Sequence, residues 1–270
     1  MKVLLTNDDG IQAQGLNALR RALLETPGVE LSVIAPDSNR SATARSITTR
    51  RPLWVEEIEF DDGSIGFATD GTPVDCVRFA VLGLVDHPDL IVSGINHGTN
   101  LGDDITYSGT VAAALEGVVL GIPAIAVSQQ SAGGELDFRA GHDYDFDHAA
   151  PFVARLVEEL ERVPMPDGTL LNINFPAGQP SGACACRLGK RIYRDQLRLT
   201  EEEDGGRRRY QIYGYKPGFH EEEGTDFEAI GKGTIAVTPI HFDLTDEAGV
   251  EALHGFDLDG LLRPAAQEVE

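Results

Sequence analysis

Apolar and polar positions alternate in a repeating order along the first half of the chain. Met1 to Thr6 is a short apolar run, and Leu16, Leu19 and Leu23 recur at helical spacing within Gly15 to Glu25. Val29 to Ala35 is apolar again, so strand, helix and strand follow one another. Val74 to Leu84 predicts a helix, Asp89 to Ser93 a buried strand, Gly109 to Leu120 a helix of small apolar residues, and Pro123 to Ser128 a further strand. Repeated βαβ order implies an α/β fold, with an open, mostly parallel sheet covered by helices on both faces.

Past Gln129 the pattern turns polar and glycine-containing as far as Asp145. A helix to about Arg162 and a strand at Leu170 to Phe175 follow. From Arg187, β-like segments at Arg209 to Tyr215 and Gly233 to Pro239 alternate with acidic loops at Glu201 to Gly206 and Glu221 to Gly224. The expected division is therefore a sheet core over residues 1–180 and a smaller β-rich extension with a C-terminal arm over 181–270. The two are expected to pack as one functional unit, with a frayed tail from Pro264.

Composition narrows the function. The 270 residues carry 22 Lys+Arg against 44 Asp+Glu, a formal balance of −22. A nucleic-acid polymer would be repelled over such a surface, although a small anion can bind where a cation or local arginines reverse the field. Only Lys2, Lys190, Lys216 and Lys232 are lysines, and an acid-rich, lysine-poor surface suits concentrated salt. No apolar run approaches the roughly 20 residues of a membrane span. Asp8 and Asp9 arrive too early for a signal peptide, so a cytoplasmic protein without membrane partners is expected. Cys76, Cys184 and Cys186 lack zinc spacing and are expected as reduced thiols.

In open parallel sheets ligands bind beyond the carboxyl ends of the strands. Four loops there carry unusual polar groups. Thr6-Asn7-Asp8-Asp9-Gly10 places adjacent carboxylates at the end of a buried strand, a costly arrangement unless a cation or hydrogen bonds compensate it. Ala35 to Ala42 offers the hydroxyls of Ser38 and Ser41 beside Arg40. Ser93 to Asp104 offers amide oxygens at Asn96 and Asn100 between glycines, and is too long for a plain connector. Tyr107-Ser108-Gly109-Thr110 precedes a helix, where free N–H groups can receive a phosphate. Each loop separately also reads as an ordinary cap or turn. Jointly they supply oxygen donors only, which suits Mg²⁺ or Mn²⁺ better than zinc and points to phosphate-ester hydrolysis.

The same segments resemble a known family. Val3 to Gly15, Ala35 to Ala42, Gly71 to Cys76, Ser93 to Asn96 with Gly98 and Asn100, and Ser108 to Val111 are similar, in order, to the SurE survival-protein family of nucleotidases. Leu171 to Pro176, Gly224 to Asp226 and Thr238 to Ile240 extend the likeness over about residues 1–255. The resemblance implies a Rossmann-like core and a metal-dependent phosphatase of nucleoside 5′-monophosphates, and often of 3′-monophosphates or short polyphosphate. It implies one Mg²⁺ or Mn²⁺ held by Asp8, Asp9, Ser41 and Asn96, with Asp8 and Asp9 catalytic. Asn7, Asn100, Ser108, Gly109 and Thr110 are then expected at the phosphate or substrate, and a homodimer or homotetramer is expected through the arm. Asp103 and Asp104 depart from this picture by adding negative charge near the expected phosphate.

A water attacking in line is the expected route, with attack by Asp9 itself as the rival. Arg40 and Arg45 are candidates to offset the acidic background, and His97 to protonate the leaving oxygen. His142 and His148 raise a second metal site against a solvated acidic loop. Tyr107, Phe79 and Tyr213 are candidate walls for a base, or ordinary core residues. No G-x-G-x-x-G follows the first strand, and Gly231-Lys232-Gly233-Thr234 imitates only part of a P-loop. The non-enzymatic alternative is a Mg²⁺-binding phosphoacceptor module.

Overall fold

A computed structural model describes residues 1–136, 141–212 and 218–262. Strand β1 (Lys2–Thr6), helix α1 (Gln14–Leu24) and strand β2 (Glu30–Pro36) open the chain, followed by a hairpin of β3 (Val55–Glu59) and β4 (Ile65–Thr69). Helix α2 (Pro73–Phe79), strand β5 (Leu90–His97), helix α3 (Gly109–Val119) and strand β6 (Ala124–Gln129) come next, then helix α4 (Ala149–Glu158) and strand β7 (Thr169–Phe175). Beyond these lie β8 (Ala183–Ala185), β9 (Arg191–Ile192), β10 (Arg198–Glu202), β11 (Arg208–Gln211), β12 (Gly218–Phe219), helix α5 (Asp226–Gly231), β13 (Ile235–His241) and helix α6 (Glu247–His254).

Nine strands form one sheet in the order β3-β4-β2-β1-β5-β6-β7-β13-β8. The strands from β4 to β7 run parallel, while β3 is antiparallel to β4 and β13 antiparallel to β7. Alternation sorts the side chains. Val3 and Leu5 join Leu16, Leu19, Leu23, Val153 and Val157 under α1 and α4, whereas Leu4 and Ile34 join Cys76, Val77 and Val111 under α2 and α3. The helices therefore cover both faces, as the α/β reading requires.

Several expectations change in detail. The β3–β4 hairpin was not anticipated, because its acidic, half-exposed pattern acquires strand character only by pairing with β2. It is pinned to α1 by Arg20, a buried side chain that pairs with Asp61 and Asp62 and lies over the Phe60 ring. The helix expected over Val74 to Leu84 is α-helical only to Phe79 and continues as a π-helical turn that Gly83 ends at φ 103°. The strand expected to stop at Ser93 runs on to His97, since β6 keeps pairing with it at Asn96 and His97 after a register shift. The Ser93 to His97 part of the expected loop is therefore strand.

In the second half, the segment read as Gly233 to Pro239 becomes β13 and enters the main sheet between β7 and β8. It completes the core, while the β10–β11 hairpin stands as a separate two-stranded sheet. Helices α5 and α6 carried no sequence expectation. Part of the Arg209 to Tyr215 segment, and the frayed tail from Pro264, lie outside the described residues.

Candidate functional site

Because β2, β1 and β5 are adjacent and parallel, the loops at their carboxyl ends open on the same side of the sheet. Thr6 of β1 pairs with Ser93 of β5, so Asn7, Asp8 and Asp9 leave the sheet beside the end of β5. Asn7 is fully buried and serves the turn itself: its Nδ2 donates to the Gly10 carbonyl at 2.9 Å and its Oδ1 accepts the Gly10 N–H at 3.2 Å. Gly10 sits at φ 105°, where a side chain is strained. The turn so fixed presents the two carboxylates.

Asp8 is only 3% exposed. Its Oδ1 accepts the Thr110 hydroxyl at 2.5 Å. Gly109 lies so close that a Cβ there would fall 2.7 Å from the Asp8 Cβ and 2.8 Å from Oδ2. The acidic pair and the start of α3 are thus in direct contact. Burial and then the neighbouring Asp9 charge push the Asp8 carboxyl up to about 6, against the opposing Thr110 hydrogen bond. Burial also raises Asp9, whose Oδ2 accepts the His97 N–H at 2.9 Å and whose Oδ1 accepts Asn39 Nδ2 at 3.2 Å. Burial and mutual repulsion make two negative charges here costly, a cost that a cation beside them would offset.

The loop after β2 is drawn to the same place. The Arg40 N–H donates to the Asp8 carbonyl at 2.6 Å, and the Ser41 N–H to Asn39 Oδ1 at 2.8 Å, which leaves the exposed Ser41 beside the pair. Asn96, at the end of β5, donates its Nδ2 to the Gly98 carbonyl at 2.7 Å. Its Oδ1 receives no hydrogen bond among the described residues. Two carboxylates, an amide oxygen and a hydroxyl make an oxygen-only donor set that fits a hard divalent cation. Asp8, Asp9, Asn96 and Ser41 are the residues that could hold one.

At the start of α3, Ser108 is the N-cap and its Oγ accepts the Val111 N–H at 3.1 Å. The capping reading of this loop therefore holds for Ser108. Gly109 and Thr110 contribute the first helical N–H groups, at the end where the helix dipole favours an anion.

A match over residues 3–195 to the family described as survival protein SurE accompanies this geometry. The chain belongs to the SurE survival-protein family. It is 49% identical over 267 residues to the 5′-nucleotidase SurE of Rubrobacter xylanophilus, covering 97% of this chain and 99% of that protein. It is 46% identical over 262 residues to the 5′-nucleotidase SurE of Chloroflexus aggregans, covering 95% and 99%. The crystal structure of the SurE protein from Aquifex aeolicus aligns with a TM-score of 0.74 at 34% identity, covering 97% of this chain and 100% of that one.

Other expected residues of this SurE-family chain are placed differently. Asn100 lies within the protein: its Nδ2 donates to Ser128 Oγ at 2.8 Å and its N–H to Asn174 Oδ1 at 2.8 Å. Its carbonyl accepts Asn172 Nδ2 at 2.9 Å and Asn174 Nδ2 at 3.0 Å. This amide network ties the glycine loop to β6 and β7 and holds Asn100 in place at the base of the site. The His97 ring stacks on Tyr144 and Phe146, and its Nε2 accepts the Gly15 N–H at 3.4 Å. Burial lowers its pKa, so the ring stays neutral and accepting. Its main-chain N–H is the group that reaches Asp9.

Arg40 is occupied by Asp37 at 2.8 Å and Arg45 by Glu116 at 2.7 Å. Asp104 is paired with Arg191 and accepts the Tyr193 hydroxyl at 3.0 Å, while Asp103 accepts the Arg191 N–H at 3.0 Å. The acidic residues that departed from the family pattern are thus turned toward the C-terminal half and compensated there. Phe79 packs with the α2–α3 core, Tyr107 stands exposed beside Ser108, and Tyr213 lies outside the described residues. His148 sits at the start of α4, and no cluster of three or more His, Cys, Asp or Glu side chains converges among the described residues. No helix among them is long and apolar enough to cross a membrane.

Sequence reasoning missed the supporting groups. Asn39, Asn172, Asn174 and Asp226 support the site through contacts that reach far along the chain. Asp226, for instance, accepts the N–H groups of Gly102 at 2.7 Å and Gly189 at 2.8 Å. No local signal marks such partners.

Proposed function

We propose that this chain hydrolyses nucleoside 5′-monophosphates to nucleoside and phosphate with the help of one divalent cation. The contact of Asp8 with Gly109 and Thr110 carries the reading, because it joins a cation-demanding acidic pair to an anion-receiving helix end. The names of the relatives support the substrate class. Asp8, Asp9, Ser41 and Asn96 would hold Mg²⁺ or Mn²⁺, which when bound supplies Lewis-acid withdrawal of phosphoryl charge.

The remaining work falls to the chain. N–H groups of Gly109 and Thr110 receive phosphoryl oxygens, and Ser108 Oγ, an acceptor from Val111, keeps its proton to donate. Asp9, the less buried carboxylate, orients a water for in-line attack and takes its proton. As the bond from phosphorus to water oxygen forms, the bond to the ribose 5′-oxygen breaks, and the nucleoside leaves as an alcohol with a proton from solvent. All these groups address the phosphoryl end, so 3′-monophosphates and short polyphosphate are proposed as further substrates.

The phosphate-handling residues are proposed to lie within residues 1–180, whose sheet β13 and β8 complete, with assembly assigned to other parts of the chain beyond 180. Exposed Val250, Leu253, Phe256 and Leu258 in and after α6 support a homodimer or homotetramer. The free thiols Cys76, Cys184 and Cys186 support a reducing, cytoplasmic compartment. Phosphate release from adenosine 5′-monophosphate, abolished by a chelator and restored by Mg²⁺ or Mn²⁺, tests the activity. Absence of release from nucleotides, polyphosphate and a chromogenic phosphate ester would leave the phosphoacceptor module instead.

A further inference from the structure

Glu116 lies on α3 and is 1% exposed, yet it is ionisable and no part of the phosphate site. A buried carboxylate of this kind is costly unless it is paired. Two arginines reach it from different elements: Arg45 from the loop after β2, 2.7 Å from Oε2, and Arg78 from the end of α2, in an ion pair with Oε1. Arg78 anchors a helix that the core already holds. Arg45 anchors the segment that carries Ser41.

That segment, residues 37–54, has no strand or helix of its own. Ala42 and Ala44 sit at φ 58° and 51°, a backbone region unfavourable to a residue with a Cβ. Such a conformation persists only when its surroundings impose it. Toward β2 the imposed contact is the Arg40 N–H on the Asp8 carbonyl. Toward the other end it is the Ala44 N–H on the Tyr107 carbonyl at 3.2 Å, followed at once by Arg45 on Glu116. The Arg45 guanidinium also lies 4.6 Å over the Phe242 ring, which fixes its plane. Glu116 stands two turns along α3 from Gly109, about 10 Å away. The helix that presents Gly109 and Thr110 thus also grips the loop that presents Ser41.

We propose that Arg45 and Glu116 are positioning residues: their ion pair latches the Ser41 loop onto α3 and so sets the distance between the Ser41 hydroxyl and the Asp8–Asp9 pair. The inference rests on the reading of Ser41 as part of the cation site, and it concerns residues that touch neither cation nor substrate.

Amide hydrogen exchange over residues 41–47 of the metal-free chain and Mn²⁺ binding followed by electron paramagnetic resonance test it together. With Arg45→Met, exchange over 41–47 speeds up while α3 is unchanged, and the Kd for Mn²⁺ rises about tenfold. Arg45→Lys recovers part of both, since it restores the charge without the planar fork. Arg78→Met, which removes the other partner of the same carboxylate, leaves loop exchange and Mn²⁺ affinity as they were. Unchanged exchange and Kd in Arg45→Met overturn the latch, and so does an equal loss in Arg78→Met. Should Arg45→Met not fold, Arg45→Lys carries the same comparison. If the unmodified chain binds no Mn²⁺, the cation reading fails by itself, and the exchange measurement still decides whether the latch exists.

Discussion

Thr110 donates its hydroxyl proton to Asp8 across the junction between α3 and the end of β1, at 2.5 Å. This bond opposes the upward push of burial on the Asp8 carboxyl. Thr110→Val keeps the shape and removes the donor, so the carboxyl rises further. The expected result is a fall in phosphate release of roughly 10–100-fold, the usual scale for losing a partner of a metal ligand. The acid limb of the rate profile should also move to higher pH, which a pH series of kcat/KM measures. An unmoved limb would separate the hydroxyl from the titration of Asp8.

Gly109→Ala tests the contact that carries the functional reading. The added Cβ would lie 2.7 Å from the Asp8 Cβ, so either the carboxylate or the helix start must shift. A destabilisation of about 1–3 kcal/mol is expected from such overpacking, with near loss of activity. Gly182→Ala is the control, because a Cβ there meets nothing within 4 Å. Thermal melts and phosphate release on both variants give the comparison.

Stability of the metal-free chain should depend on pH through Asp8. Its folded-state pKa is raised to about 6 from 3.8, so the stability it contributes is present while it is protonated, below the ordinary carboxylate range. That contribution is lost as pH climbs through about 6. Asp8→Asn lacks the titration. The variant should therefore match the unmodified metal-free chain near about pH 4 and exceed its Tm near about pH 7.5. Added Mn²⁺ should raise the Tm of the unmodified chain more at the higher pH. Equal melting curves for the two chains at the higher pH would show that burial does not strain this carboxyl.

Helix α6 buries no residue, and Leu244, Leu261 and Leu262 around it are 85%, 71% and 84% exposed. These exposed leucines are the apolar surface that the proposed assembly would cover. The full chain is expected to run as a homodimer or homotetramer in light scattering after size exclusion. A chain ended at Asp243 should give a smaller species that keeps the α/β circular dichroism spectrum. Identical masses would assign assembly to another surface.

The strands and helices around the site were legible because they bury one face or both and so repeat at period 2 or 3.6. The adjacency of Asp8 and Asp9 at the end of an apolar strand was also legible, although that loop taken alone reads equally as a cap and turn and gains meaning only beside the other three. The ties of Asn100 to Ser128 and Asn174 were not legible, because an amide among glycines looks the same in sequence whatever its Nδ2 and N–H meet. The stop placed at Ser93 failed because pairing of Asn96 and His97 with β6 is decided by a neighbour far away in the chain. The occupation of Arg45 by Glu116 is likewise a long-range fact, and charge alone marked Arg45 only as a candidate to offset the acidic background.

The mesh of Asn100, Asn172, Asn174 and Ser128 beneath the glycine loop contains no net charge, in a chain that carries −22. Dissolved ions screen charges far more than they screen dipoles locked in a dry interior. Brine and dilute buffer should therefore find the same cradle, and differ only in how readily an anion reaches it.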